Sequence, residues 1–310
     1  MCSTKISSFA QRTSFAMVVM LFSAAAWSAD PAATVAPPTV ERTFARFQQQ
    51  PASPGDRVVQ QLGVQLELAT KIIQSGQTAH ESTSAMRREQ DRTIEVLEVR
   101  EGRAVKAKAT FDVSRRQSPE SATPTELVTQ PIEGKSYLMS RDGEKLVVTD
   151  MLGNQPPEEE LKAAIESLEN VGKPNPLASL LVGRRIAVGE LIRVPRDMVQ
   201  PLLGLDEAIG SVHRFELRLV RVEPASEEHP APWALFETDL EIRPNDSSPM
   251  AIKLHGEMAI ETDTCRLTEM KLDGPVGISS IERTEGGIFQ FTAGGELKMA
   301  IRSDYGRAVR

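Results

Sequence analysis

Between Val58 and Tyr305 the chain repeats one pattern, apolar and charged residues alternating with period two, and this most constrains what it can fold into. Val105, Ala107, Ala109, Phe111 and Val113 fall on one side of such a strand; Lys106, Lys108, Thr110 and Asp112 fall on the other. Phe215, Leu217 and Leu219 alternate with Glu216 and Arg218, and Ala234, Phe236, Thr238, Leu240 and Ile242 with Glu237, Asp239 and Glu241. Met250, Ile252, Leu254, Met258 and Ile260 oppose Lys253, His255, Glu257 and Glu261, and Leu297, Met299 and Ile301 oppose Glu296, Lys298 and Arg302. Antiparallel strands with one face on a core and one in water read this way, whereas strands of a parallel βαβ sheet read as continuous apolar runs. The expected fold class is therefore mainly β (a β-rich α+β chain): an antiparallel curved sheet, either a half-barrel or a closed barrel.

The connections support that reading. Arg141-Asp-Gly-Glu144 predicts a tight hairpin between Lys135–Ser140 and Lys145–Asp150, with Asp-Gly supplying positive φ. Glu101-Gly-Arg103 predicts another, and Gly294-Gly295 reads as a break between Ile288–Ala293 and Glu296–Ser303. Ser84 to Arg92 is polar on every side, as a strand wet on both faces or a solvated loop would be. Leu62 to Ile73 fits a strand on Val64, Leu66, Leu68 and Ile72, and a helix on Leu62, Leu66, Ala69 and Ile73.

One clear helix is predicted over about 157–171. Pro156-Pro157 opens it, Glu158-Glu-Glu160 suits its positive end, and Leu161, Ala164, Ile165, Leu168 and Val171 recur at helical spacing before Gly172 and Pro174. A second, short helix is predicted over about 197–208, capped by Asp197.

Upstream of the body, Lys5 and Arg12 precede the apolar run Phe15–Phe22 and the small residues Ser23–Ala26, the layout of a secretory signal peptide over 1–29. Cleavage is expected after Ala26 or Ser28. The apolar run falls short of the roughly 20 residues of a spanning helix, so no transmembrane segment is expected after cleavage. The predicted destination is outside the cytoplasm, periplasmic or extracellular. Residues 30–56, rich in Pro, Ala and Gln, read as a disordered linker with a short helix around Val40–Phe47. The β body is expected over 57–306, as one sheet or as two lobes, 57–155 and 180–306, joined by helix 157–171.

Composition removes several function classes. The net charge of −7 becomes −9 once Lys5 and Arg12 are removed, and aromatics make up only 5% of residues, so nucleic acid is not an expected partner. Cys265 is the only cysteine after the leader, which forbids an intramolecular disulfide and reads as a buried small hydrophobe. His80, His213, His229 and His255 are scattered with no metal-ligand spacing, so no metal and no cofactor is expected. No nucleophile motif is present and no catalytic residue is assigned. Glu237 and Asp239 share a strand face, which solvation explains without an acid/base site.

The segment that stands out is Met198-Val-Gln-Pro-Leu-Leu-Gly-Leu205, with Ile209 after it. An apolar stretch hung between strands can line or plug the cavity of a curved sheet. Met198, Val199, Leu202, Leu203, Leu205 and Ile209 are therefore the candidate ligand-binding residues.

The runs Gly102–Phe111, Gly134–Leu138, Gly183–Leu191 and Thr264–Leu272 together resemble uncharacterised exported β-rich proteins of Gram-negative bacteria. At the level of architecture the chain is similar to the periplasmic lipoprotein carriers, half-barrels whose antiparallel sheet wraps around helices. That likeness implies an apolar cargo and no catalysis, and carries over no site. The expectation is an exported, non-catalytic binding or envelope-structural protein that holds an apolar small molecule or lipid, or meets an envelope protein partner. The alternatives are a pure protein–protein scaffold, or a hydrolytic enzyme whose carboxylates and His213 or His255 meet in a buried cluster.

Overall fold

The computed structural model describes residues 43–117, 126–203, 211–227, 229–245, 248–284 and 287–307. In chain order the strands begin with β1 (Phe44–Arg46), β2 (Asp56–Gln74), β3 (Gln77–Arg100), β4 (Arg103–Arg116), β5 (Val128–Thr129), β6 (Lys135–Asp142) and β7 (Lys145–Asp150). Helices α1 (Glu158–Leu168) and α2 (Pro176–Leu181) follow, then β8 (Arg185–Ala187), β9 (Leu191–Arg193) and α3 (Arg196–Leu203). The chain closes with β10 (Ser211–Glu223), β11 (Trp233–Arg243), β12 (Met250–Glu261), β13 (Leu267–Thr284) and β14 (Gly287–Arg307).

All strands but β1 and β8 form a single 12-stranded antiparallel sheet, curved and not closed into a barrel. Its order is β7-β6-β4-β3-β2-β14-β13-β12-β11-β10-β9, with β5 beside β4. Most neighbours in space are neighbours in sequence, joined by hairpins. The long-range exception is the centre, where β2 pairs with β14 from Asp56↔Arg307 to Gln74↔Phe289; β4 and β6 are separated only by β5, and β9 and β10 by α3. The first long strand and the last therefore stitch two meanders into one sheet.

Two-residue turns set the register of the N-terminal meander. Arg100 pairs with Arg103 across Glu101 and Gly102, whose φ values are 52° and 74°. Both central residues thus take the left-handed conformation that matches strand twist. The second hairpin forms one residue later than its sequence predicts: Asp142 ends β6 and pairs with Lys145, so Gly143 and Glu144 are the central residues and Gly143 alone takes positive φ, at 57°.

One face of the sheet carries all three helices and two apolar cores. Val58 packs into the first core, and Val64, Leu66 and Leu68 against the second. All four are alternate residues of β2, so both cores lie on the same side, here called the inner face. The first core gathers Ile94, Ala107, Ala109, Phe111, Tyr137, Met139 and Val148 under α1. The second gathers Phe215, Leu217, Phe236, Leu254, Met258, Met270 and Leu272 under α2 and α3.

A polar seam separates them. The Gln90 amide donates to Ser167 Oγ (3.0 Å), and the Gln60 amide to Ser303 Oγ (3.1 Å). Arg92 donates to Gln60 Oε1 and to the Ser167 carbonyl at the end of α1. Arg141 donates from Nε to the Val171 carbonyl (2.8 Å) and from the guanidinium tip to the Glu169 carbonyl. Two arginines thereby satisfy the carbonyls that the helix leaves open, where positive charge also meets the negative end of its dipole. At the other end of α1, Lys135 Nζ (2.6 Å) and the Tyr137 hydroxyl (2.9 Å) both donate to Glu160.

Close-packed glycines bend the sheet. A Cβ at Gly295 would lie 1.7 Å from the Glu67 carbonyl oxygen; at Gly256, 1.9 Å from that of Lys271; at Gly274, 2.1 Å from that of Lys253. Neighbouring backbone occupies the space a side chain would need, which permits a tighter curve than Cβ-bearing residues allow. Gly274 precedes Pro275, and the β12–β13 pairing is interrupted there, between Ile252↔Val276 and His255↔Asp273.

Several expectations need correction. Gly294-Gly295 is no break: both lie inside the 21-residue β14, paired with Ala69 and Leu68. Ser84–Arg92 is strand throughout: Arg88–Arg92 are paired on both sides and serve the seam, whereas Ser84–Arg87 run past the end of β4, pair in a ladder with β2 alone and form a solvated edge. A β-bulge at Asp112 turns Val113 to the outer face and Ser114 inward. Leu62–Ile73 is strand throughout.

Phe44–Arg46 is a strand paired with β8, not part of a helix or free linker, because Ala45 and Phe47 are buried in the second core. Helix α1 ends at Leu168 rather than 171, its last carbonyls taken up by Arg141. Of the predicted 197–208 helix, Arg196–Leu203 is present and 204–208 lie outside the described residues. Helix α2 was not foreseen, although Asn175-Pro176 is a capping signature: Asn175 Oδ1 accepts from the Leu177 amide at 3.0 Å.

Candidate ligand-binding face

Strand lengths position the site. β2, β3, β13 and β14 run to between 18 and 24 residues, far beyond their neighbours, so the middle of the sheet extends past both cores. Strand register tells what that extension presents on the inner face. Val212, Ile242, Ile252, Val276, Gly295 and Leu68 stand in one row across six strands. The next row contains Met250, Ile278, Ala293 and Thr70, and beyond it Phe291 faces Ile72. One row back, Leu297, Leu66 and Met86 are aligned.

Ile72, Met86, Ile278, Phe289 and Phe291 are only half-buried and belong to neither core. With Leu66 and Leu68 they make a continuous apolar strip on the inner side. Lone exposed apolar residues are ordinary on a protein surface, but a contiguous run on one sheet face marks a surface built to be covered.

Helix α3 packs on β10, where the first row begins. β9 runs antiparallel to β10, Leu191↔Arg218 to Arg193↔Glu216, so the chain enters α3 at the Val212 end of β10. Val199 is fully buried in the second core, with Met198, Leu202 and Leu203 half-buried against it. Four of the six candidate residues thus close the second core over β10, three strands away from Ile278, the nearest residue of the strip. Leu205 and Ile209 lie outside the described residues. The strip itself was missed because its residues sit on four strands distant in sequence.

The remaining candidates are dispersed. His213 and His255 are exposed. His255 Nδ1 meets Asp239 Oδ1 at 3.1 Å and its Nε2 lies 3.6 Å from Glu237 on the outer face. The buried cluster that a carboxylate/histidine site requires is therefore not formed by either residue. Among the described residues no group of three His, Cys, Asp or Glu side chains could hold a metal ion. Also among them, no helix is long and apolar enough to cross a membrane. An outer-face depression of about 480 Å³ lies over Gly63, but Glu89, Asp91, Glu269, Arg115, Lys271 and Arg302 line it, and their charges balance.

Cys265 is fully buried in the second core at the β12–β13 turn. Its carbonyl accepts from Asn175 Nδ2 (2.7 Å). Burial pushes its thiol up to about 12 from an ordinary 9. The native thiol is therefore expected to resist a disulfide reagent at mildly alkaline pH and to react at once in denaturant. Rapid native labelling would show the turn to be open. The folded state favours the neutral thiol, so this contribution to stability is present below pH 9 and is lost as pH rises from 9 to 12.

No family model matches this chain, and no curated protein matches its sequence. Among solved structures, one of lipid–protein interactions in lipovitellin aligns with 83% of this chain and 26% of its own, at TM-score 0.40 and 8% identity. The chain thus spans about a quarter of that protein. A LolA superfamily protein from Nitrosomonas europaea aligns over 80% of this chain and 86% of its own (TM-score 0.14, 10% identity). The MucA/MucB complex of Pseudomonas aeruginosa aligns over 76% and 88% (TM-score 0.11, 10% identity). All three scores lie below 0.5.

Proposed function

We propose that this chain is an exported, non-catalytic binding protein that holds an apolar ligand, a lipid or another greasy molecule, on the inner face of its sheet. The observation that carries the reading is the half-buried inner-face strip that starts at Leu66 and Leu68, on the margin of the second core, and continues through Ile72, Met86, Ile278, Phe289 and Phe291, which belong to neither core. A ligand laid along it would remove from water apolar surface that folding alone leaves wet, at about 25 cal/mol per Å² covered. The basic and apolar leader expected over 1–29 supports export.

The test has two parts. Native mass spectrometry of the mature protein from its own envelope fraction, followed by solvent extraction, should reveal a bound lipid or apolar molecule. Titration with the uncharged probe N-phenyl-1-naphthylamine should then give saturable binding, and Phe291→Asp and Ile72→Asp should weaken it by about tenfold or more, since each sets a charge into the contact. Both residues lie outside the cores, so the variants should fold as the parent does. Unchanged probe affinity in both variants would remove the strip as the site.

A further inference from the structure

We propose that the strip ends in an anionic head-group site at Arg88, so that the preferred ligand is a single-chain amphiphile with a terminal carboxylate. The inference rests on the apolar-ligand reading and adds the ligand's chemical class to it.

Arg88 lies on the inner face beside the strip. It pairs across strands with Val64, and Met86, two residues earlier on β3, pairs with Leu66. Its other cross-strand neighbour is Arg116, so two guanidinium-bearing residues stand opposite one another. Like charges in that position repel, and the sheet gains when something neutralises them. Among the described residues no carboxylate lies within ion-pair distance of Arg88; Ser167 Oγ, at 3.4 Å, is the neutral group it meets. Desolvation holds its pKa below the ordinary value, against the field of the exposed Glu166, and Arg116 lowers it further.

Arg92, one inward-facing step beyond the buried Gln90, shows what a satisfied arginine looks like here. It donates to Gln60 and to the terminal carbonyl of α1, which supplies negative potential in place of a carboxylate. Arg88 feels the field of Glu166 but its one hydrogen bond among the described residues is the long contact with the Ser167 hydroxyl, and its planar fork suits a carboxylate held by two parallel hydrogen bonds.

The dimensions agree with one chain. Leu66 to Ile72 is six residue steps, about 20 Å at strand rise, and Met86, Leu66 and Leu297 span two interstrand spacings, about 10 Å. A lipid leaflet is about 15 Å deep, half of a roughly 30 Å hydrocarbon core, so an acyl chain fits along the strip. With its carboxylate at Arg88, the chain runs past Leu66 and Leu68 toward Ile72 and Phe291.

Dodecanoate and dodecanol, which differ in the head group alone, test this by displacement of N-phenyl-1-naphthylamine from the full mature chain near neutral pH. The expected result is that the acid binds about tenfold to a hundredfold more tightly than the alcohol, the range of a charge-assisted hydrogen bond. Arg88→Gln should bring the acid down to the level of the alcohol, and Arg88→Lys should restore part of the difference. Arg116→Gln, at an exposed position, should reduce the preference without risk to the fold. Equal binding of acid and alcohol by the parent protein overturns the head-group site and leaves the apolar strip standing. A preference that survives in both glutamine variants also overturns it. Failure of both compounds to bind overturns the reading on which it rests.

Discussion

Gly295→Val is expected to cost about 3 kcal/mol or more of stability, lowering the melting temperature by roughly 10 °C, whereas Gly294→Val, one residue earlier, should be near neutral. The two glycines are neighbours in β14 and face opposite sides of the sheet. A Cβ at Gly295 would stand 1.7 Å from the Glu67 carbonyl oxygen and 2.7 Å from its carbon; at Gly294 it would meet nothing within 4 Å. Neither needs a left-handed backbone, so the contrast reports space alone. The obstructing atoms are backbone of β2, which is paired on its far side with β3 and cannot swing away without breaking a ladder. At Gly294 a β-branched residue should even help, because glycine is the poorer strand former. Thermal and urea melts of the two variants are the measurement. Equal costs would mean that the sheet's curve is not set at this contact.

Phe111→Ala is expected to destabilise the protein by about 3 to 5 kcal/mol, and unevenly. Phe111 is fully buried in the smaller, first core and meets Tyr137 edge-on, with ring centroids 6.0 Å apart. Tyr137 in turn holds Glu160 of α1, so loss of the Phe111 ring loosens the helix as well as the strands. The second core lies across the polar seam and shares with the first only the long central strands. Hydrogen exchange should therefore show protection lost in β4, β6, β7 and α1 while β10–β13 keep theirs, the pattern of separable cooperative units. Uniform loss over the whole sheet would show that the two cores fold as one.

How far these features could be read from the chain depended on how local their cause is. Strands of β10, β11 and β12 were legible because each is amphipathic within its own length. The Glu101-Gly102 turn was legible because turn geometry depends on one or two residues; the second hairpin was found but one residue early, since its central pair is Gly143-Glu144. Val113 was misplaced because a single bulge residue inverts the facing of everything after it, and a bulge is decided by the partner strand. Gly294-Gly295 was misread as a turn because glycine also serves where another backbone comes close, and that backbone, Glu67, is more than two hundred residues away in the chain. Ser84–Arg92 looked too polar for a central strand because its partners Gln60, Ser114 and Ser167 come from three other elements.

The candidate site divides in the same way. The Met198–Leu203 helix was found from its apolar pattern, and in the structure it closes the second core over β10, apart from the strip. Ile72, Met86, Ile278, Phe289 and Phe291 carry no local signal that distinguishes them from core residues; they become a surface because four strands outrun the helices beneath them.

By itself, then, the sequence determined the antiparallel class, the shorter strands such as β7, β11 and β12, the Glu101-Gly102 turn and the main helix, all of which follow from side-chain periodicity and from single residues with fixed backbone preferences. Tertiary structure alone decided that the two meanders share one sheet through β2 and β14, that a polar seam divides the cores, and that an apolar strip ends beside Arg88. Each of these needs residues far apart in the chain to meet, and pairing between distant strands is settled by the packing of the whole.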